Sequence, residues 1–403
     1  MSQKKILSSL TFEELNSRKF KFDLGPGYPS FKGVAEWNVI KESVLHDPYA
    51  MDSSRGWGQC PTTQDLSLSL KSSLSKIIGL NEKYQVFPVA TGSLALHRAI
   101  AASKNHLCRT GHDRIKVIAT SPCIDIIPAI AFELTNSKPL ALECKGTGAF
   151  NSSEAKRLLD KISETLVEDS ASGVIVVLTS PENPTGRIWP LKVIESLLTE
   201  VDIERVIFVF DHCFLFSGIQ EYKKIPCVWN VDFSKKSAEW ISILDTGKVF
   251  DLDGEKLGFL VGSSKEIENL IENSISILQY DISEREKIIF NRIFSSPELN
   301  SYFAKQSEIC NKNLSVCKDY LADVGVNIYE PLAGSLVLAS LPSTLSVREY
   351  MLRSNSYGVG LISADHFFWN DSDLESRNLI RIALNRDTDY FASAIHNLCK
   401  AWG

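Results

Sequence analysis

Residues 173–186 read Gly173-Val174-Ile175-Val176-Val177-Leu178-Thr179-Ser180-Pro181-Glu182-Asn183-Pro184-Thr185-Gly186. An apolar run that stops at a proline-rich turn is the pattern of a strand buried on both faces, as in a parallel sheet. The pattern recurs on either side. Gln85 to Val89, Lys116 to Ala119, Pro139 to Glu143, Val206 to Phe210, Trp240 to Leu244 and Leu257 to Val261 read as further strands, most of them apolar throughout. Between them, Ser93 to Ser103, Ile127 to Leu134, Ser152 to Leu166 and Pro190 to Glu200 carry helical periodicity. Strand and helix in alternation predict an open α/β sheet with right-handed crossovers. Beyond Gly262 come long helical stretches, Glu266 to Phe294 and Pro297 to Val324. Short strands near Ser335 to Ala339 and Leu379 to Ile382 follow, then a closing helix from Tyr390 to Trp402. The expected organisation is a large domain with a mostly parallel sheet over residues 51–285, and a smaller α+β domain made of residues 1–50 and 286–403.

Composition narrows the class of function. The 403 residues are 44% hydrophobic and 23% charged, the range of folded globular proteins rather than disordered or membrane chains. The formal net charge is -6 and no basic run forms a phosphate-tracking stripe, so nucleic acid is not the expected partner and small molecules are. The N-terminal residues turn polar at Ser8-Ser9 before an apolar leader can form, and no apolar run is long enough to span a bilayer. The nine cysteines are odd in number and contain no C-x-x-C pair, which argues against a disulfide framework or a zinc site. They read as reduced thiols, and the chain as cytoplasmic.

Ligands of an open α/β sheet bind beyond the carboxyl ends of its strands, so the residues that follow each predicted strand come first. After Val89 stands Ala90-Thr91-Gly92-Ser93, opening a helix whose free N–H groups and hydroxyls suit a phosphate; an ordinary helix cap is the alternative. After Leu178 the proline-rich turn fixes Asn183 on stiff backbone, within reach of a ligand. After Phe210 comes Asp211, placed to neutralise a protonated ring nitrogen or else to cap a helix. After Leu244 comes Asp245-Thr246-Gly247-Lys248, a lysine at the end of a buried strand, where desolvation suits it to Schiff-base chemistry.

Taken together, from about Leu24 to Arg381, these residues resemble the fold-type I, class I/II aminotransferase-like enzymes that use pyridoxal 5′-phosphate. The resemblance implies that Lys248 holds the cofactor as an internal aldimine and that Asp211 partners the pyridinium nitrogen. It implies further that Asn183 donates to the ring hydroxyl and that Thr91, Gly92 and Ser93 form the phosphate cup. Lys256 stands where the family usually has a phosphate-binding arginine. Arg381, in Ile380-Arg381-Ile382-Ala383-Leu384, stands as the clamp for a substrate α-carboxylate. A carboxylate on the ring nitrogen keeps the cofactor's electron sink active, so the chemistry implied runs through a quinonoid, with Lys248 moving the α-proton.

Three positions depart from an ordinary aminotransferase. Phe214 replaces the tyrosine expected three residues after the aspartate, Ile124 replaces the aromatic that stacks on the ring, and Asp245 replaces a phosphate-binding serine or threonine. Together with Asn-Pro-Thr-Gly-Arg at 183–187 and Leu10-Thr11-Phe12-Glu13-Glu14, these features resemble the pyridoxal-phosphate-dependent L-arginine oxidase/hydroxylase subgroup. In that subgroup a glutamate and the aspartate before the lysine hold the guanidinium, which puts Glu14 and Asp245 at a cationic side-chain site; a capping box with Thr11 also explains Glu14. Tyr28 stands where hydroxylating members have histidine, which disfavours hydroxylation; His366 is a candidate substitute, though packing among aromatics also accounts for it. The implied substrate is arginine or a related guanidino amino acid, oxidised and deaminated with dioxygen. Ring closure to a cyclic guanidino amino acid and conventional transamination are the alternatives, and a non-enzymatic sensor is a further one. The family resemblance also implies a homodimer in which the Arg55-Gly56-Trp57-Gly58 loop reaches the neighbouring site.

Overall fold

The computed structural model describes residues 20–31, 34–45, 63–144, 146–169, 172–233, 236–252, 254–278, 282–370 and 378–403. In chain order its strands are β1 (Phe22–Asp23), β2 (Val86–Val89), β3 (Arg114–Ser121), β4 (Leu140–Glu143), β5 (Ser172–Thr179), β6 (Val206–Asp211), β7 (Glu239–Asp245) and β8 (Gly258–Gly262). They are followed by β9 (Asn327–Tyr329), β10 (Leu336–Ser340), β11 (Val359–Gly360), β12 (Ile362–Ser363) and β13 (Leu379–Ala383). β2 to β8 form a seven-stranded sheet in the order β2-β8-β7-β6-β5-β3-β4. β3 to β7 pair in parallel, and β8 runs antiparallel to both of its neighbours, β7 and β2.

The apolar runs have the cause that the sequence suggested. Along β5, Val174, Val176 and Leu178 enter one core while Ile175 and Val177 enter another on the opposite face. Phe208 and Phe210 of β6 and Trp240 of β7 join the first, Ile207, Val209 and Ile241 the second. Helices Ser152–Glu168, Leu191–Thr199 and Glu284–Ser295 cover the first face, with Trp37 and Ile40 of helix Ala35–Leu45. Helices Gly92–Arg109, Ile126–Thr135 and Lys265–Leu278 cover the second. The stretch expected as one helix over Glu266 to Phe294 is two helices. Ser283 begins the second: its side chain accepts the Glu286 N–H at 3.1 Å, and the Glu286 carboxylate accepts the Ser283 N–H at 3.1 Å. No helix among the described residues is long and apolar enough to cross a membrane.

A second sheet, ordered β12-β13-β10-β9 and antiparallel throughout, packs Val337, Ala339, Ile380 and Ile382 against Leu314, Cys317, Phe391 and Ile395. The segment from Lys21 to Phe31 is fastened to it. β1 pairs with β11, and Ala383 N–H donates to the Leu24 carbonyl at 2.9 Å. Buried Arg386 donates to the carbonyls of Asp23 at 3.0 Å, Pro26 at 2.7 Å and Tyr28, while Asn385 Nδ2 donates to that of Gly27 at 3.0 Å. Five buried donors on one short stretch thus fix where Tyr28 goes, the fifth being Arg381 to the Gly25 carbonyl at 2.7 Å.

The reversed strand brings three turns together. Gly258 stands in register with Val89 on one side and Asp245 on the other. A Cβ on Gly258 would fall 2.2 Å from the Thr91 carbonyl oxygen, and one on Gly92 would fall 2.7 Å from Asp245 Cβ. Only glycine permits these approaches. Gly258→Ala is therefore expected to destabilise the chain by about 1–3 kcal/mol. A fall in the urea midpoint at unchanged slope would register this, and an unchanged midpoint would refute the close packing.

Candidate functional site

At the carboxyl edge of the parallel strands, where α/β sheets bind ligands, the ends of β2, β3, β5, β6 and β7 open on one pocket. It holds about 700 Å³ of space, counting its mouth. Tyr28, Thr91, Gly92, Ser93, Ile124, Asn183, Asp211, Phe214, Asp245, Lys248 and Lys256 all line it. Of the other residues expected here, Arg381 lies directly behind Asn183, Glu14 lies outside the described residues, and His366 is not among the lining side chains. The Arg55-Gly56-Trp57-Gly58 loop also lies outside the described residues.

Thr91 caps helix Gly92–Arg109, its Oγ1 accepting the Leu94 N–H at 3.0 Å. The amides of Gly92 and Ser93 are left at the positive end of the helix dipole, a natural seat for an anion. Lys256 and Lys248 stand beside it. The Lys248 ammonium lies 3.8 Å from the centre of the Tyr28 ring and that of Lys256 lies 5.7 Å from it, so one aromatic ring meets both cations.

Two carboxylates occupy the floor. Asp211 is buried at the end of β6, and its Oδ1 accepts the Cys213 N–H at 3.0 Å. Burial pushes its carboxyl up, the Cys213 hydrogen bonds hold it down, the Asp245 charge adds to the rise and Lys248 opposes it. Asp245 caps the turn Thr246–Lys248, Oδ1 accepting the Gly247 N–H at 2.8 Å. Burial again raises it, and Lys248, the Gly247 amide and Lys256 pull it back. The floor is thus a small lattice of alternating charge in a desolvated place, where each ion is held by its neighbours.

Arg381 rises from β13 on the far side. Its Nη1 donates to Asn183 Oδ1 at 3.0 Å, its guanidinium lies 4.8 Å over the Phe367 ring, and its Nε has no hydrogen-bond partner. Burial lowers its pKa to about 10, so it stays cationic at neutral pH. The remaining walls are apolar. Ile124 packs with the second core beside Ile126 and Trp369, and Phe214 with Leu336 and Ala383. The Phe214 ring tip lies against Gly27, where an added Cβ would fall 3.3 Å from Cζ.

Sequence reasoning did not assign Asp125 and Cys213, which also line the pocket, or Arg386 and Asn385, which fasten the Tyr28 segment. A second arginine five residues after Arg381 at the end of an apolar strand was the available signal. Pyridoxal phosphate asks for an amine, a buried carboxylate and an anion seat. Lys248, Asp211 and the Gly92–Ser93 amides offer these within one pocket, and Lys248 and Lys256 offset the charge of Asp245.

The sequence profile of the class I and II aminotransferases matches residues 149–397. No curated protein matches the chain. Among solved structures, Escherichia coli YbdL, described as having a methionine aminotransferase function, superposes with a TM-score of 0.75 at 15% identity over 99% of each chain. The multiple substrate aminotransferase from Thermococcus profundus gives 0.71 at 17% identity, over 100% of this chain and 97% of that one. MppP soaked with the product 2-ketoarginine gives 0.70 at 17% identity, over 94% of this chain and 99% of that one. With its fold of one large, mostly parallel sheet and the pocket at that sheet's carboxyl edge, the chain belongs to the class I and II aminotransferase family and is a pyridoxal-phosphate-dependent enzyme.

Proposed function

We propose that this enzyme acts on an amino acid with a cationic side chain, arginine or a close guanidino relative, and oxidises and deaminates it with dioxygen. The observation that carries the reading is the carboxylate of Asp245 in the pocket floor three residues before Lys248, where the family's usual residue is a neutral hydroxyl. A half-buried carboxylate favours a cationic ligand over a neutral one of the same shape. The second expected carboxylate, Glu14, belongs to the same reading. MppP, whose structure was solved with 2-ketoarginine, shares the fold and adds an example of such a ligand in it.

In this reading Lys248 is the anchoring amine, Asp211 faces the ring nitrogen and Asn183 the ring hydroxyl. Thr91, Gly92, Ser93 and Lys256 seat the phosphate, and Ile124 and Phe214 flank the ring. When bound, pyridoxal phosphate supplies an electron sink for negative charge at the substrate α-carbon. The chain's own residues do the rest. Arg381 holds the α-carboxylate through its fork, which requires it to share or release Asn183. Lys248, once free, takes the α-proton at Nζ, and the lattice of Asp211 and Asp245 around it keeps that amine oriented. Ile124, Phe214 and Tyr28 exclude water from the reacting atoms. Phe214 in place of a phenol removes one donor to the ring oxygen, which disfavours simple amino transfer. Overall, dioxygen takes two electrons and two protons to become hydrogen peroxide, while water releases ammonia and leaves the 2-oxo acid. The family resemblance supports a homodimer, and the odd-numbered, scattered cysteines support a cytoplasmic setting.

Three measurements bear on this. The purified wild type is expected to be yellow, with a visible band that borohydride traps on Lys248 and that Lys248→Ala lacks. Incubation with arginine should consume oxygen and release ammonia and 2-oxo acid together; oxygen uptake near zero with stoichiometric amino transfer to 2-oxoglutarate would defeat the oxidase reading, and a cyclic guanidino product would favour ring closure. Asp245→Asn should lower kcat/KM for arginine relative to a neutral amino acid of similar length by roughly 10- to 100-fold. An equal loss for both substrates would remove Asp245 from side-chain recognition.

A further inference from the structure

The turn that carries Asn183 and the strand end that carries Asp211 are tied together by a side chain to which neither the reaction nor the family reading gives a task. His212 follows Asp211 directly and is 1% exposed. Its backbone N–H donates to the Ile243 carbonyl of β7 at 2.9 Å, which continues the sheet one residue past β6. Its ring turns the other way, towards β5, where Nδ1 lies 2.6 Å from the Ser180 carbonyl oxygen. A carbonyl only accepts, so Nδ1 carries the proton and donates it. Burial lowers the His212 pKa to about 4, against the opposition of that same bond, and the ring stays neutral.

Ser180 is the hub of the turn. Its N–H donates to the Asp211 carbonyl at 2.9 Å, its hydroxyl oxygen accepts the Trp189 N–H at 3.2 Å, and its carbonyl accepts the His212 ring. All three polar groups of one residue are therefore engaged, two of them with Asp211 and the residue after it. Two residues separate Ser180 from Asn183, and both are stiff. Pro181 has its φ fixed by its ring, and Glu182 is held by its N–H to the Arg187 carbonyl at 2.8 Å and by the Gly186 N–H to its own carbonyl at 2.7 Å. A shift of the Ser180 peptide is thus passed on to Asn183 rather than absorbed between them.

The surroundings of the imidazole give no other reason for a histidine. The ring stacks on Phe210 at 6.1 Å between centres and meets Trp229 edge to face at 5.3 Å, and Nε2 has no hydrogen-bond partner among the described residues. A buried nitrogen without a partner is a cost that a phenyl ring in the same place would not carry. What a phenyl ring lacks is the Nδ1 proton.

We propose that His212 is a positioning residue: its Nδ1 proton, held on the Ser180 carbonyl, sets the spacing between Asn183 and Asp211, so that one pyridine ring reaches both. Asn183 Oδ1 already accepts Arg381 Nη1 at 3.0 Å, which leaves Nδ2 to donate to the ring hydroxyl while Asp211 faces the ring nitrogen. The aromatic skeleton fixes those two ring positions relative to each other, so the groups that meet them need a fixed spacing as well. The inference rests on the proposed reading that Asn183 meets the ring hydroxyl and Asp211 the ring nitrogen.

The test measures the dissociation constants of pyridoxal phosphate and of its analogue without the ring hydroxyl, by quenching of tryptophan fluorescence, for the cofactor-free wild type, His212→Phe, His212→Asn and Asn183→Ala. The readout is the preference for the hydroxylated ring, a ratio of the two constants in which a general loss of stability cancels. His212→Phe, which keeps the aromatic packing and loses the donor, should lower the preference roughly 3- to 10-fold. His212→Asn, whose Nδ2 falls near the place of Nδ1, should keep it within about twofold of the wild type. Asn183→Ala should remove it. If His212→Phe does not fold, His212→Gln, whose amide falls nearer the place of Nε2, is read in its stead with the same expectation. A preference unchanged in the donor-free variant, or lowered as far in His212→Asn, overturns the role of His212 while Asn183→Ala still behaves as expected. A wild type without the preference, or a preference that survives Asn183→Ala, overturns the site assignment beneath it.

Discussion

A sheet covered on both faces can meet a ligand only at the ends of its strands, and everything about this site follows from that constraint. The alternating apolar residues of β5, β6 and β7 are consumed by two cores, and the polar side chain in mid-strand, Ser242, is fully buried. The polar groups begin where the strands stop, at Thr91, Asn183, Asp211 and Asp245. Reversal of β8 then draws two of those ends within contact, because glycine at 92 and 258 allows backbone and side chain to approach where any Cβ would collide. The geometry of the pocket is thus inherited from the packing of the core and needs little adjustment in the loops.

Charge is the second organising element. Buried Asp211 and half-buried Asp245, Lys248 and Lys256 form an interleaved set in which removing one member leaves its neighbours poorly compensated. Arg187 and Glu154 form a second buried pair beneath the Asn183 turn, at 2.7 Å. Buried Arg381 and Arg386 follow a different rule. They direct their donors at backbone carbonyls and an amide oxygen rather than at carboxylates, so they act as fasteners as well as charges.

Much of this was legible in the sequence, for identifiable reasons. Strands buried on both faces are written as uninterrupted apolar runs, and each of those expected in the large sheet is present within two residues of its predicted ends. Residues placed immediately after such runs necessarily gather at one edge, which is why Thr91, Asn183, Asp211 and Lys248 meet although they come from distant parts of the chain. Strands of two or three residues, β1, β9, β11 and β12, carry no pattern long enough to read. The break between helices Lys265–Leu278 and Glu284–Ser295 was written locally, as Ser283-Glu284-Arg285-Glu286, but the continuous apolar periodicity on either side masked it. The fastening of residues 23–28 by Arg386 and Asn385 was hidden for a different reason: a side chain that bonds to backbone leaves no complementary residue in the sequence to point to it.

That fastening also sets an order of events for a growing chain. The stretch carrying Tyr28 emerges well before its partners in β11, β13 and at Asn385 and Arg386, which lie more than three hundred residues later. Until those are made, the early segment has no strand to join and Tyr28 has no fixed place over Lys248. The seven-stranded sheet is held by its own strand pairs, whereas the roof of the pocket depends on pairings of very long sequence separation, the kind of contact whose loop-closure cost is highest. A chain assembled in this way leaves Lys248 without its aromatic cover from the moment it emerges until β13 and Arg386 have followed it.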